Sequence, residues 1–356
     1  MTSYSIAVIP GDGIGKEVVP EGLRVLDAAA ARFGFTLAYD HYDWSCETYK
    51  ATGLMMPEDG LDQLRDHDAI FLGAVGFPGV PDHISLWGLL IPIRRTFEQY
   101  VNLRPVRLLP GITPPLRDKQ VGDIDFWIVR ENSEGEYSQR GGRFNEGTDE
   151  ETVIQEAVFT RRGTDRILRY AFDLATRLGR PHVTSATKSN GIWFSMPFWD
   201  ERFAEVARDY PDIRTDQYHI DILAARFVMS PERFDVVVGS NLFGDILSDL
   251  GPGITGTIAV APSANINPER QYPSMFEPVH GSAPDIAGQG IANPIGQIWS
   301  AAMMLDHLGE GEAGAAIMAA LESVLTSRRE LLTPDLGGKA TTAMLGEAVA
   351  RAVAQG

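Results

Sequence analysis

The chain has 356 residues, 44% of them hydrophobic, so it is long enough for two ordinary domains with sizeable cores, and disorder is excluded. Its formal charge of −17 at pH 7 opposes binding to nucleic acid or to an anionic membrane surface. The single cysteine, Cys46, excludes an intramolecular disulfide and a thiolate metal cluster, and it fits a reducing cytoplasm.

Short apolar runs rich in β-branched or aromatic residues alternate with amphipathic stretches, which is typical of an α/β protein with a largely parallel sheet. Strands are predicted at 5–10, 69–75, 125–130, 182–187 and 235–240. Helices that end at a glycine or before a proline are predicted at 17–34, 164–179 and 196–210, and the stretch 298–356 is predicted to be entirely helical. No apolar run reaches membrane-spanning length and no basic leader precedes the first strand, so we expect a cytoplasmic protein.

A glycine-rich loop joins the first strand to the first helix. The sequence P-G-D-G-I-G spans 10–15, and Asp40 ends the next strand-like stretch, as in a dinucleotide-binding Rossmann fold. The third glycine of that fingerprint would fall at Lys16, so the pattern is incomplete. A tight turn that uses Gly11 and Gly13 for their permissive backbone angles is at least as good an interpretation as a phosphate site. The loop alone therefore does not place a cofactor.

Several arginines precede or end predicted strands. The segment LLIPIRRTFEQYVNLRP supplies Arg94, Arg95 and Arg104, and Arg130 ends a predicted strand just before a polar turn that contains Tyr137. Guanidinium groups can hold a carboxylate bidentately, although each arginine alone fits a surface salt bridge. Lys188 follows a predicted strand, at the sheet edge where α/β folds carry functional side chains, and a surface lysine is the alternative interpretation.

Two aspartates lie one helical turn apart. Asp245 and Asp249 share a helix face, where like charges destabilise an isolated helix by about 0.2–0.5 kcal/mol unless a cation binds them. Without Cys or His nearby, the carboxylates suit Mg²⁺ or Mn²⁺ rather than zinc. From these residues alone, a metal site and a solvated acidic face are equally well supported. Asp221 is a third carboxylate in an apolar helical pattern, and alone it fits an ordinary helix acid.

Five strings then relate the chain to a known family: IPGDGIGKEV, VNLRPVR, VRENSEGEYS, NLFGDILSDL and EPVHGSAPDIAGQGIANP. In their order and spacing the chain resembles the β-decarboxylating hydroxyacid dehydrogenases, which include isopropylmalate, isocitrate, homoisocitrate, D-malate and tartrate dehydrogenases. The resemblance implies an α/β two-domain fold of the isopropylmalate/isocitrate dehydrogenase type, not a Rossmann fold, with the active site in the interdomain cleft. An NAD-binding large domain would comprise 1–102 and 255–356, and a substrate, metal and dimerisation domain would comprise 103–254.

The resemblance also assigns roles at the active site. It implies that the substrate carboxylates are held by Arg94, Arg104 and Arg130. It implies that Mg²⁺ or Mn²⁺ is held by Asp221, Asp245 and Asp249, and so favours a metal site over a solvated acidic helix face. A monovalent cation such as K⁺ is a further candidate cofactor. Lys188 is expected to act as the general base, through water, and Tyr137 as the acid that protonates carbon after decarboxylation.

A loop rich in Gly, Ser, Pro and Asp is assigned to the cofactor by the same resemblance. Adenosine contacts are expected from His280, Gly281, Ser282, Ala283 and Ile286, a ribose contact from Asp285 and an adenine contact from Asn293. An aspartate at this position accepts hydrogen bonds from the 2′-hydroxyl of NAD and repels the 2′-phosphate of NADP. We therefore expect NAD.

Substrate choice is expected to reside in the helix DHISLWGLLIPIRR. Isocitrate-type members use Ser and Asn where Gly88 and Leu90 stand here, so isocitrate is not expected. Trp87 stands where isopropylmalate-type members have an acid, and its bulk favours a smaller substituent. The strings DHISLWGLL and YDWSCETYKATGLMMP resemble most the tartrate and D-malate dehydrogenases of the family. We expect oxidation of these dicarboxylic hydroxy acids followed by metal-assisted decarboxylation. The alternative within the family is 3-isopropylmalate oxidation, and that of another class is a metal-binding lyase or a non-catalytic ligand-binding relative.

The assembly is expected to be a homodimer with shared active sites. By the resemblance, Lys188 and Asp221 would reach into the neighbouring subunit's cleft, and the other site residues would come from the other chain. The segment 137–160 is polar and glycine-containing at first and then alternating. It predicts an arm, such as a hairpin, that packs on another subunit.

Overall fold

The computed structural model describes residues 2–356. The strands are β1 (Ser3–Gly11), β2 (Thr36–His41), β3 (Ala69–Ala74), β4 (Val101–Arg107), β5 (Asp125–Glu131), β6 (Gly141–Phe144), β7 (Thr152–Gln155), β8 (His182–Thr187), β9 (Arg214–His219), β10 (Val236–Gly239), β11 (Pro262–Ile266) and β12 (Ser274–Pro278). The α-helices are α1 (Gly15–Phe33), α2 (Cys46–Thr52), α3 (Gly60–Arg65), α4 (Asp82–Ser85), α5 (Ile91–Thr96), α6 (Arg161–Leu178), α7 (Ser195–Ala207), α8 (Ile220–Met229), α9 (Asn241–Thr255), α10 (Ile295–Leu308), α11 (Gly311–Ser327) and α12 (Thr342–Gln355). Each of these helices is too short or too polar to span a lipid bilayer.

Ten strands form one sheet in the order β2-β1-β3-β12-β11-β4-β5-β10-β8-β9. Both flanks are parallel, as the alternation of strands and helices predicted. The centre is antiparallel, because β11 pairs with β12 and β4, and β4 pairs with β5. Because one sheet runs through both halves of the chain, the division at residues 103 and 254 stays a prediction.

The strands of the central sheet separate two apolar cores. Along β1, Ile6 and Val8 face one cluster of buried residues, whereas Ala7 and Ile9 face the other. This alternation follows from the two-residue period of a strand, and it leaves β1 apolar on both faces. The same double burial makes β3 apolar throughout, which is why the sequence predicted it so readily.

The predicted strands overlap β1, β3, β5, β8 and β10, and the predicted helices overlap α1, α6 and α7. The prediction of a continuous helical C-terminus is wrong for residues 328–341, which form two 3₁₀ turns and a loop between α11 and α12. Pro334 begins the second of these turns, where its missing backbone donor is tolerated, and Gly337 ends that turn with a left-handed φ of 80°, so the segment does not continue as an α-helix.

Within the predicted arm, β6 and β7 pair as an antiparallel hairpin. Phe144 on β6 and Val153 and Ile154 on β7 are exposed. A hairpin at this position is therefore confirmed, and it presents apolar side chains to solvent in the single chain.

Candidate active site

Three arginines from three elements line one cavity of about 220 Å³: Arg94 on α5, Arg104 on β4 and Arg130 on β5. In the antiparallel pairing of β4 with β5, Arg104 lies opposite Ile128 and Asn102 lies opposite Arg130. Because paired residues share a face and side chains alternate along a strand, both strand arginines project from the same face of the sheet. The other lining residues are Leu86, Ile91, Arg95, Asn132, Tyr137, Asn241 and Asp245.

Helix α9 brings its acidic face to this cavity. Its N-cap residue, Ser240, accepts a hydrogen bond from Phe243 N and donates one to Glu136 Oε1 at 2.7 Å. Glu136 Oε2 also accepts a hydrogen bond from Leu242 N at 3.0 Å. The carboxylate of Glu136 thus holds the start of α9 against the turn that carries Tyr137.

The arginines and the aspartates of α9 form one network. Arg130 forms an ion pair with Asp245 Oδ1 and donates to Asn241 Oδ1 at 2.8 and 3.1 Å. Arg104 Nη1 donates to Ser248 Oγ at 2.7 Å and to Asp249 Oδ1 at 3.1 Å.

Tyr137 binds the other oxygen of the Asp245 carboxylate, because its Oη donates to Asp245 Oδ2 at 2.7 Å. The cavity therefore places guanidinium groups, a phenol and a carboxylate within contact of one another.

Arg94 is held by a buried carboxylate. Its Nη2 donates to Glu277 Oε1 at 2.7 Å, and the same oxygen accepts from Asn265 Nδ2 at 2.7 Å. Within residues 2–356, the buried Nε groups of Arg94 and Arg104 and the buried Oδ1 of Asn132 have no hydrogen-bond partner. Unpartnered buried polar atoms are costly, so these groups are ready to bind a polar ligand.

The electrostatics of the cavity keep its groups in defined states. Burial lowers the pKa of Arg130 to about 10, which leaves the guanidinium charged at neutral pH. Burial and the hydrogen bond to Asp245 raise the pKa of Tyr137 to about 12, so the phenol keeps its proton. Burial opposes ionisation of Asp245, but Arg130 and Arg104 outweigh it and hold the pKa of Asp245 below its usual value. Burial raises the pKa of Asp249, although Arg104 opposes this effect.

The proposed metal ligands are only partly assembled. Asp245 and Asp249 lie on one face of α9, with Arg104 Nη1 3.9 and 3.1 Å from their carboxylates. Asp221, on α8, instead accepts a hydrogen bond from Lys188 Nζ at 2.7 Å, and its side chain is 68% exposed. Neither Lys188 nor Asp221 lines the cavity. Within residues 2–356, no three acidic, His or Cys side chains are grouped as a metal site, so one chain supplies two of the three predicted ligands.

The predicted cofactor loop rests on the glycine-rich turn after β1. Gly11 and Gly13 have φ values of 70° and 54°, as the turn interpretation required. Ile14 N donates to Ser282 O at 2.9 Å, and a Cβ on Gly13 would lie 2.1 Å from that oxygen. Glycine at position 13 therefore allows the backbone of the turn to approach the backbone of the cofactor loop at Ser282, and the turn supports the loop there.

A carboxylate from α1 fixes the far end of the same loop. Glu17 accepts hydrogen bonds from Gly288 N at 2.6 Å and Gly290 N at 2.9 Å. Ala283, near the start of the loop, has a left-handed φ of 40°. The loop is thus held by hydrogen bonds from its backbone amides to Glu17 and by a small apolar cluster, in which Ala283 and Ile286 pack against Ile14.

The predicted cofactor residues differ in what they can offer. His280 is buried, and burial lowers its pKa, so the imidazole is neutral; within residues 2–356 its Nε2 has no hydrogen-bond partner. The carboxylate of Asp285 is exposed. Asn293 is already engaged, since its Nδ2 donates to Asp335 Oδ2 at 2.9 Å and its Oδ1 accepts from Ile295 N at 3.0 Å. Gly281 is exposed, and Ile286 packs in a small cluster with Ile14.

The helix that was predicted to carry substrate choice is interrupted by a π-turn at Leu86–Leu90, between α4 and α5. Ile91 N donates to Leu86 O, a hydrogen bond over five residues rather than four. Leu86 and Ile91 therefore share a face and line the cavity, whereas Trp87 and Leu90, which the family pattern indicated, do not line it. The Trp87 ring lies instead 4.8 Å from the guanidinium of Arg95.

Sequence reasoning did not single out three residues of the site, which are Asn132, Asn241 and Glu277. Asn132 and Asn241 lie within the recognised strings but carry no charge, so no charge pattern marked them. Arg95, which the sequence offered as a carboxylate-binding arginine beside Arg94, does line the cavity and donates to the Tyr137 carbonyl at 2.7 Å. Glu277 is buried behind Arg94, and no apolar periodicity or motif spacing indicated that contact.

Comparison with known proteins supports the expected family. A family model described as isocitrate/isopropylmalate dehydrogenase matches residues 5–349. The chain is 63% identical to D-malate dehydrogenase [decarboxylating] of Escherichia coli (strain K12), over 99% of both chains. It is 58% identical to tartrate dehydrogenase/decarboxylase of Pseudomonas putida, over 99% of this chain and 98% of that protein.

A solved structure confirms the expected fold type. The crystal structure of isocitrate dehydrogenase from Methylococcus capsulatus superposes with a TM-score of 0.88 at 36% identity, over 99% of this chain and 100% of that one. The family model and the relatives together cover the sheet, the arginine cavity and the loop 280–293. The chain therefore belongs to the isocitrate/isopropylmalate dehydrogenase family, a family of oxidoreductases.

Proposed function

We propose that this chain oxidises D-malate and tartrate at the carbinol carbon with NAD and releases CO₂ from the oxo acid. The names and full-length identities of the Escherichia coli and Pseudomonas putida relatives support this choice within the family. The observation that carries it is the cavity formed by Arg94, Arg104, Arg130 and Tyr137. In a chain of charge −17, this is a local cationic pocket for a small anion.

The cavity suits a small dicarboxylate. Its volume of about 220 Å³ lies below the roughly 300–1,000 Å³ that is usual for larger organic ligands. Arginine holds carboxylates bidentately, so three guanidinium groups can bind two carboxylates and fix their orientation. Leu86 and Ile91 add an apolar side without a side-chain donor, and the fourth arginine of the lining, Arg95, is already engaged by the Tyr137 carbonyl. This argues against isocitrate as the substrate.

The side chains can move the protons that the reaction requires. NAD, held by the loop 280–293, would supply the hydride acceptor, and a divalent cation, held by Asp245 and Asp249, would supply a Lewis acid for the hydroxyl group. Lys188 of a second subunit receives the hydroxyl proton, directly or through water. The carboxylate β to the new carbonyl leaves as CO₂, and the phenol of Tyr137 gives a proton to the carbon that loses it. For D-malate the products are pyruvate, CO₂ and NADH.

The donor chemistry fits the absent groups. Asp245 and Asp249 offer only oxygen ligands, which suits Mg²⁺ or Mn²⁺. The exposed Asp285 carboxylate fits the ribose of NAD, and its charge disfavours the extra phosphate of NADP. His280 contributes a neutral imidazole with a free buried nitrogen, a suitable contact for a polar cofactor.

A homodimer would complete the site. Lys188 and Asp221 form an ion pair with each other and do not line the cavity of their own chain. They are therefore available to contribute to the cavity of a second copy. Exposed apolar side chains lie on α8 (Ile222, Val228, Met229), on α9 (Ile246) and on the β6–β7 hairpin (Phe144, Val153, Ile154). Large exposed apolar side chains are candidates for an interface, and a second copy of the chain would cover them.

Complementation tests the shared site. Arg94→Ala and Lys188→Ala proteins should each be inactive as pure dimers. A mixed dimer made by co-refolding would contain one site with both changes and one intact site, so we expect activity to return. Inactivity after mixed dimers have been verified would rule out sharing, because every site within a single chain would then keep one change.

A substrate panel tests the activity itself. NADH absorbance should rise with D-malate and tartrate in the presence of Mn²⁺ or Mg²⁺, and it should stay flat after exhaustive chelation. Full activity in the chelated protein would refute the metal requirement. Preference for 3-isopropylmalate, which the apolar Leu86 and Ile91 also favour, would replace the proposed substrates. Binding of all three acids without NADH formation would instead indicate a lyase or a non-catalytic relative.

A further inference from the structure

A second cavity lies on the face of the sheet opposite the active site. We call it the rear groove, and its volume is about 730 Å³. It is bounded by β4, β5, β11 and β12, with α6 on one side and α10 and α11 on the other. Leu103 and Pro105 line it, whereas Arg104 between them lines the active-site cavity. The two cavities therefore have no lining residue in common, although they share two strands.

The rear groove has an aromatic interior. Trp127 on β5, Phe276 on β12 and Trp299 on α10 contribute to its lining; Phe276 and Trp299 are buried, and the half-buried Trp127 is the most accessible of the three. The guanidinium of Arg107 lies 5.4 Å from the centre of the Trp299 ring. Flat aromatic surfaces of this kind bind other ring systems by stacking and by edge contacts. This interior favours a ligand with an aromatic body over water alone.

The charges of the rear groove favour an anion. Arg107 pairs with Glu322 and Arg180 pairs with Asp125, so these two guanidinium groups are neutralised. Within residues 2–356, Arg177 and Arg270 form no ion pair, although both line the groove.

Two further titratable groups face the groove from α10. Asp306 is a single acidic side chain there that forms no ion pair among residues 2–356. Burial lowers the pKa of His307 to about 4, so that imidazole is neutral at pH 7. Among the described residues, Arg177 and Arg270, which lack ion-pair partners, outnumber the unpaired Asp306, so the groove carries a net positive charge. This is unusual in a chain of charge −17.

We propose that the rear groove is a second ligand site, which binds a small aromatic anion of mononucleotide size. The ring system of the ligand would lie against Trp127, and its phosphate or carboxylate would pair with Arg177 and Arg270. The volume of about 730 Å³ is within the range of roughly 300–1,000 Å³ that is usual for such ligands.

The position of the groove couples it to the active site. A ligand there contacts α6 and the α10–α11 pair at once, and so fixes the spacing of these helices across β4 and β5. The same two strands carry Arg104 and Arg130 on their other face. Binding should therefore change the KM for the hydroxy acid, a consequence that rests on the proposed function.

Calorimetry tests the site with 1-naphthyl phosphate as the probe, in the full-length protein with excess NADH to keep the cofactor loop occupied. We expect one equivalent to bind per chain, and inorganic phosphate or 1-naphthol to bind more weakly because each lacks half of the contacts. Arg177→Ala and Arg270→Ala should each weaken binding about tenfold. The matched control Arg329→Ala, an exposed arginine outside the groove, should bind as the unchanged protein does.

A second pair of variants tests the volume of the groove. Ala315 on α11 is exposed and lines the groove, so Ala315→Trp should fill it and abolish binding. Ala319 is exposed one helical turn further along and does not line the groove, so Ala319→Trp should bind the probe normally. Absence of binding to the unchanged protein, or binding that survives both Arg177→Ala and Ala315→Trp, would overturn the site. Normal groove-dependent binding with an unchanged KM for D-malate would overturn the coupling alone. The calorimetry decides the site even if the protein is inactive on hydroxy acids.

Discussion

Replacement of Gly13 by alanine should weaken NADH binding through the contact between two loops. Gly13 has a left-handed φ of 54°, and its new Cβ would lie 2.1 Å from Ser282 O. To restore an ordinary contact of 3.4 Å, the carbonyl must withdraw by 3.4 − 2.1 Å, or about 1.3 Å. That shift displaces the segment assigned to the adenosine of NAD.

The size of the effect follows from two contributions. The left-handed conformation costs an alanine about 1–2 kcal/mol. Loss of the hydrogen bond from Ile14 N to Ser282 O removes about 1 kcal/mol more. If the clash is relieved by movement of the loop rather than of the turn, roughly half of this free energy is lost from NADH binding. That loss corresponds to about a tenfold increase in the Kd for NADH.

Gly34→Ala is a matched control. Gly34 ends α1 with a φ of 80°, and a Cβ there would meet no atom within 4 Å. This variant should lose thermal stability through the left-handed conformation alone and keep the NADH affinity of the unchanged protein. NADH fluorescence titration and thermal unfolding measure both quantities. If the two variants bind NADH equally well, the loop 280–293 does not hold the cofactor and the assignment is wrong.

Three further predictions concern single side chains. Asp285→Lys should raise the use of NADP relative to NAD, since the lysine attracts the 2′-phosphate that the aspartate repels; an unchanged ratio of kcat/KM values would show that the ribose lies elsewhere. Tyr137→Phe should lower kcat by about 10²–10⁴ with little change in the Kd for NADH, and an equal loss of NADH affinity would indicate a structural role instead. Burial raises the pKa of Glu131 to about 7 from 4.5, so the native protein binds the extra proton and its free energy of unfolding should fall as the pH rises through that window. Glu131→Gln should remove this fall between pH 5 and pH 8 in urea unfolding, and an equal slope in both proteins would contradict it.

The sequence predicted best those features that depend on periodicity. A spacing of four residues placed Asp245 and Asp249 on one face of α9, and both contact Arg104 there. The apolar runs of β1 and β3 were evident because both faces of these strands are buried.

The antiparallel centre of the sheet was harder to predict. Strands β11 and β12 are fully buried yet carry polar residues, and hydrogen bonds such as Asn102 Nδ2 to Asn265 Oδ1 at 2.9 Å satisfy them. Buried polar groups paired across strands erase the apolar pattern on which strand prediction depends. Glu277 was missed because it lies on the buried strand β12, where a polar residue is not expected, and because its partner Arg94 is 183 residues away in the sequence.

The π-turn at Leu86–Leu90 has a consequence for how substrate range can change among related chains. One turn of the helix holds an additional residue, and the hydrogen bond from Ile91 N to Leu86 O closes over it. Gain or loss of such a residue is a single insertion or deletion in a gene, and each residue rotates a helix by about 100°. A length change of one codon could thus replace the apolar side of the cavity while Arg94, Arg104 and Arg130 stay in place. In this chain the additional residue puts Leu86 and Ile91, rather than Trp87 and Leu90, on the side of the helix that lines the cavity.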